Sequence, residues 1–97
     1  MFDTVIHDCT FGAVRMNYAD LMAYNCTFRN INGGTLFMMT NSYASYMCST
    51  FEHMYGEFLY GDGYYNSLYY VDCNMDEDMM DWLTAMQDDG CDWIIIN

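Results

Sequence analysis

Two histidines, five cysteines and fourteen acids are the side chains of this 97-residue chain that could carry chemistry. Cys48 and His53 lie close in sequence, a spacing that permits a thiol–imidazole pair. Nucleophilic catalysis would also need a group to orient the imidazole and donors for an oxyanion, and no stretch of sequence marks either. His7 has no second histidine at metal-ligand spacing. The intervals between Cys9, Cys26, Cys48, Cys73 and Cys91 are all long, and none fits a close metal pair. Their odd number, with no secretory leader at the N-terminus, reads as buried free thiols acting as small apolar residues. The paired carboxylates Asp76–Asp78 and Asp88–Asp89 read as solvated acids at a helix start and end. Asp72, Asp76, Glu77 and Asp78 offer oxygen to Ca²⁺ but lack the EF-hand spacing. "NING" and "GDG" read as turns, since no P-loop or G-x-G-x-x-G is present. The sequence therefore predicts a non-enzyme: no catalytic residue, no metal and no cofactor.

What could place these side chains is a repeat. "TFRNINGGTLFMM" at 27–39 returns as "TFEHMYGEFLYGD" at 50–62, with Thr27/Thr50, Phe28/Phe51, Gly33/Gly56 and Leu36/Leu59 in matching places. "DCTF" (8–11), "NCTF" (25–28), "CSTF" (48–51) and a weaker "DCNM" (72–75) extend the echo. The step from Phe11 to Phe28 is then shorter than those from Phe28 to Phe51 and from Phe51 to Met75, so the first coil would be short or irregular. In Cys-Thr-Phe the first and third side chains share one face of a strand. Gly, Asn, Asp and Ser punctuate the strand-like runs "TLFMMT" and "SLYYVDC". A period near 23 of short strands and turns predicts a parallel β-solenoid. Stacking would put Cys9, Cys26, Cys48 and Cys73 in an interior ladder beside Phe11, Phe28, Phe51 and Met75. The alternative is an α+β antiparallel meander, with "NINGG" as a hairpin turn, plus one helix.

"NCTFRNINGGTLFMM" resembles the repeats of right-handed parallel β-helix proteins, the pectin-lyase-like and surface-adhesin group. The resemblance covers residues 5–75 and implies a mainly β fold of about four coils. "YADL" (18–21), with Phe11, Met16 and Leu21 five apart, is similar to pentapeptide-repeat proteins, but that register fails at Tyr24 and Arg29. At the C-terminus the character changes. Met79, Met80, Trp82, Leu83 and Met86 make one apolar helical face. Asn74 and Glu77 read as a capping box, and Gly90 as the stop. "DWIIIN" reads as a final strand. The expected layout is a single domain over 1–97: a β-repeat region over 1–75, then a capping helix and final strand over 76–97.

Charge points to the partner. Residues 49–97 hold eleven acids and no base, while Arg15 and Arg29 are the only bases of a chain of net charge −12. Direct contact with nucleic acid or an anionic membrane is disfavoured, and a basic protein surface is favoured. Mean hydropathy is −0.09, and no run approaches the ~18 apolar residues of a membrane helix. The expectation is a soluble cytoplasmic protein, in the host cytoplasm if viral. Four coils rising ~4.8 Å each span roughly 20 Å, over which duplex DNA carries ~12 charges. The sequence is thus read as an acidic nucleic-acid mimic of the anti-defence kind, which inhibits a nucleic-acid-binding protein. Asp62, Asp72, Asp76, Glu77, Asp78, Asp81, Asp88 and Asp89 would carry the charge, and Tyr60, Tyr64 and Tyr65 would fill gaps. The alternative function is a structural or adhesive β-helix fragment of a larger surface or fibre protein, with homo-oligomer formation as its mark.

Overall fold

Nine of the described residues other than glycine have a left-handed backbone: Asp3, Asp8, Tyr18, Asn25, Asn30, Asn41, Cys48, His53 and Asp72. Asp and Asn tolerate this conformation because a short polar side chain can hydrogen-bond locally. The nine fall into three rows, each member one repeat on from the last: Asp3, Asn25, Cys48, Asp72; then Asp8, Asn30, His53; then Tyr18, Asn41. The chain bends at the same places on each pass, and strands run between the bends.

The computed structural model describes residues 1–10, 12–63 and 65–97. Its elements are β1 (Val5–Cys9), β2 (Val14–Asn17), β3 (Asp20–Tyr24), β4 (Thr27–Thr40), β5 (Tyr43–Met47), β6 (Thr50–Asp62), β7 (Ser67–Val71), β8 (Asn74–Met75), α1 (Glu77–Asp88) and β9 (Ile94–Ile96). One sheet has the order β1-β4-β6-β8, with β2 also on β4; the other has the order β3-β5-β7-β9. Every pairing between these strands is parallel. The fold is mainly β, and the antiparallel meander does not occur among the described residues. "NINGG" does not reverse the chain. It sits inside β4, where the register against β6 shifts between Asn32 and Thr35.

Partners in register are one repeat apart, as in Ile6↔Phe28, Phe28↔Phe51 and Phe51↔Met75. This corrects the first rung of the repeat. Ile6 is the register partner of Phe28; Phe11, the residue expected at that rung, lies outside the described residues. The first copy of "NCTF" is "DTVI" (3–6), and the short first interval disappears. The cysteine ladder is corrected as well. Cys9 pairs with Ile31, and Cys48 is exposed at a left-handed bend. The true row is Thr4, Cys26, Ser49, Cys73. Each of these side chains reaches the carbonyl two residues back: Thr4 Oγ1 to Phe2 at 2.9 Å, Cys26 Sγ to Tyr24 at 3.4 Å, Ser49 Oγ to Met47 at 3.0 Å and Cys73 Sγ to Val71 at 3.5 Å. A small donor just past the bend is what the row requires, and thiol or hydroxyl serves. Burial pushes the Cys73 thiol above its usual range, although two backbone hydrogen bonds oppose the shift.

The inner faces of the two sheets share one core. Phe28 and Phe51 stack at 4.9 Å and 1°, and Tyr46 and Tyr70 stack at 5.4 Å and 14°. The two stacks meet edge-on, Phe28 on Tyr46 at 5.7 Å and Phe51 on Tyr70 at 5.5 Å. Each stacked pair adds about 0.5–1.5 kcal/mol beyond its buried area. The Tyr70 hydroxyl is buried without a hydrogen-bond partner among the described residues. Burial pushes both tyrosine hydroxyls well above their ordinary pKa.

α1 replaces a strand on the last pass. Its N-cap is Asp76, which makes no side-chain cap bond; Asn74 belongs to β8, so the Asn74–Glu77 capping box does not form. Asp76 Oδ2 instead accepts the His53 backbone N–H at 2.6 Å, joining the helix start to β6. Met79 and Leu83 are buried, and Phe58 meets Trp82 edge-on at 5.8 Å. β9 then returns to pair with β7. No helix among the described residues is long and apolar enough to cross a membrane.

Candidate functional site

The helix that covers β6 also carries the acids. At 100° per residue, Glu77, Asp78, Asp81, Asp88 and Asp89 fall within an arc of about 120°, turned away from the arc of Met79, Leu83 and Met86. All five acids are exposed. The helix has no basic residue in its last turn, so Asp88 and Asp89 sit at the negative end of its dipole, where an acid is unfavourable.

Trp82 lies beside this stripe, 40% exposed, and divides two grooves. One, of about 470 Å³, is lined by Met54, Tyr55, Gly56, Phe58, Asp78, Asp81 and Trp82. The other, of about 340 Å³, is lined by Glu57, Leu59, Tyr60, Trp82, Ala85, Met86 and Asp89. Glu57 is held by a hydrogen bond from Thr35 Oγ1 at 3.0 Å. Each groove therefore has an aromatic and aliphatic floor and carboxylates at its rim. Such a surface suits guanidinium or ammonium groups, which gain from both the ring face and the carboxylate.

The structure brings together Asp78, Asp81, Asp89 and Tyr60 of the acids and tyrosines predicted from sequence, with Glu77 and Asp88 along the same helix face. Asp76 is half-buried and committed to the His53 backbone. Asp62 ends β6 and accepts from the Gly63 N–H at 2.8 Å. Asp72 occupies a left-handed bend, with its N–H on the Asn97 carbonyl. Tyr65 is 82% exposed and lines neither groove. Tyr64 lies outside the described residues. Glu57, Tyr55 and Trp82 are absent from the residues predicted for the site. Trp82 counts with the apolar helix face in the sequence, and only its position at the edge of that face, next to Asp81, hints at exposure.

The remaining chemical candidates are scattered. Cys48 and His53 occupy different rows of bends. His7 Nδ1 contacts Asp8 Oδ2 at 2.6 Å, and Asn30 Nδ2 donates to Asp8 Oδ1. These bonds, that of Asn30 foremost, hold the Asp8 carboxyl below its usual range. Among the described residues no three His, Cys, Asp or Glu side chains gather as metal ligands. Compared with known proteins, the chain matches no family model, no curated protein and no solved structure.

Proposed function

We propose that the chain is a small, non-enzymatic binding protein that mimics nucleic acid and occupies the basic groove of a nucleic-acid-binding protein. The observation that carries this reading is the acid stripe on α1. A 12-residue helix is ~18 Å long, and one strand of duplex DNA presents a phosphate every ~3.4 Å, hence about five over that length. Glu77, Asp78, Asp81 and Asp88 within the helix, with Asp89 at its C-cap, match that count on one face. The aromatic grooves beside the stripe would receive the partner's arginine side chains, and Trp82 is the kind of residue that anchors such contacts. Asp88 and Asp89 oppose the helix dipole; a binding role accounts for keeping acids at the end where they weaken the fold. The scaffold in this proposal is a short right-handed parallel β-helix of about four coils, of the kind the repeats resemble, supported by strand pairing that is parallel throughout.

The test is a pull-down from cell lysate with tagged protein, eluted first with duplex DNA and then with salt. A nucleic-acid-binding protein released by DNA is the expected result. The variant carrying Asp78→Asn, Asp81→Asn, Asp88→Asn and Asp89→Asn should lose that partner while keeping its circular-dichroism spectrum. Retention of the partner by this variant refutes the proposal. A second reading, the structural or adhesive β-helix piece, draws on β1 and β2. Among the described residues each pairs only with β4 and leaves its other edge without a strand.

A further inference from the structure

The outward side of the β3-β5-β7-β9 sheet differs from the rest of the surface. Strand alternation turns Leu21, Ala23, Ala44, Tyr46, Leu68, Tyr70 and Ile94 into the core and the residues between them outward. The outward positions hold Met22, Tyr24, Tyr43, Ser45, Met47, Tyr69 and Ile95; Met22 is 58% exposed, Tyr24, Tyr43 and Ile95 are exposed, Met47 and Tyr69 are half-buried, and Ser45 is buried between its neighbours. They stack in register as Met22↔Ser45↔Tyr69↔Ile95 and Tyr24↔Met47, and the Tyr43 and Tyr69 rings sit 5.6 Å apart. Asp20, at the start of β3, is the only charged residue among the outward positions of these strands. A face rich in Tyr and Met and depleted of charge has the composition of an interface core.

We infer that this sheet face is where two copies of the chain associate. Charge distribution selects that occupant. A basic partner is drawn to the carboxylates of α1, on another part of the molecule. A second copy carries the same net charge of −12 and is repelled wherever carboxylates would meet; this sheet offers it a face almost free of them. Five residues of strand by four strands gives a footprint of roughly 17 × 19 Å, about 300 Å² per copy. Two such footprints fall short of the ~1,000 Å² of a stable interface. The dimer is therefore weak and concentration-dependent, and because its association opposes like charge, salt strengthens it. Raising salt from 0.1 to 1 M shortens the screening length from about 10 to about 3 Å. The proposed partner complex has the opposite dependence, so the two ideas fail separately.

The experiment is sedimentation equilibrium over a concentration series in 0.1 M and 1 M NaCl, on wild type, Met22→Glu and Thr84→Glu. Thr84 is exposed on α1, which lies against β6 of the other sheet, so Thr84→Glu places the same added charge away from this sheet face. The wild type should dimerise reversibly, at least ~threefold more tightly at high salt. Met22→Glu should weaken association at least ~tenfold with an unchanged melt, and Thr84→Glu should resemble the wild type. A wild type that stays monomeric in both salts overturns the inference. So does a dimer affected equally by the two substitutions, which would place the contact at the open strand edges.

Discussion

Cys48 is the one member of its row whose side chain does not suit the backbone it occupies. Asp3, Asn25, Cys48 and Asp72 all bend the chain with φ near +50°. For an ordinary L-residue the left-handed region costs about 1–2 kcal/mol, and Asn visits it far more readily. Asn25 also donates from Nδ2 to Asp3 Oδ1 at 2.7 Å, a bond along the row. Cys48→Asn would remove most of the backbone cost and place an amide between Asn25 and Asp72. An exposed hydrogen bond of that kind adds at most about 0.5–1 kcal/mol. The sum is a stabilisation of about 1–2.5 kcal/mol, and each kcal/mol raises the melting temperature of a domain this size by roughly 4–8 °C. The assay is thermal denaturation by circular dichroism under reducing conditions, so that thiol oxidation does not enter. Cys48→Ala is the control, because it removes the thiol but keeps a Cβ in the left-handed region. The reasoning is refuted if Cys48→Asn melts with Cys48→Ala, or below the wild type.

Other outcomes follow from the same geometry. Tyr70→Phe keeps the stack on Tyr46 and removes the unpartnered hydroxyl, and should leave stability unchanged or raise it by about 1 kcal/mol in urea denaturation; a loss above that size would mean that the hydroxyl has a partner. Asp88→Asn and Asp89→Asn should each stabilise the fold by about 0.3–1 kcal/mol at low ionic strength, with the gain fading in 1 M salt. Asp8 is held below its ordinary pKa, so its contribution is present above the unfolded carboxylate value and is lost as pH falls through the lower folded value. Asn30→Ala should move the Asp8 titration, followed by NMR, upward toward the ordinary value; no movement would disprove the role of that bond.

The repeat was legible because it is written in large side chains. Phe28 and Phe51 match in type, and they stack in the core. The first rung was not legible because similarity and register diverge there. "DCTF" shares three letters with "NCTF", while "DTVI" shares none, yet it is Asp3 that occupies the left-handed bend before Thr4 and Ile6. What repeats at these sites is a backbone conformation and a donor, and Asp, Asn and Cys can supply the first while Thr, Cys and Ser supply the second. The same degeneracy misplaced Cys48, which matched the cysteine of other copies by letter but their Asn or Asp by position. The Asn74–Glu77 spacing looked like a helix start, but the strand pairing of Asn74 with Thr50 delays the helix until Glu77. At the candidate site the acids were visible as charge. The grooves were not, because they arise from β6 lying beneath α1, and nothing local in "EFLY" or "DWL" announces that contact.

Register partners that lie a full repeat apart also set the order of folding events. Among the described residues no strand is paired with its nearest neighbour in sequence, so no hairpin is available to form early. Each ladder must close a loop of one whole repeat, roughly a quarter of the chain, before it gains its first contact. That separation gives a relative contact order at or above the range of about 0.16–0.22 in which two-state domains fold in milliseconds to seconds. The β4–β6 ladder, with ten register pairs, and the Phe28–Phe51 stack inside it are the earliest point at which gain can offset loop closure. Once it forms, passes add on either side, and their loops are already shortened by its presence.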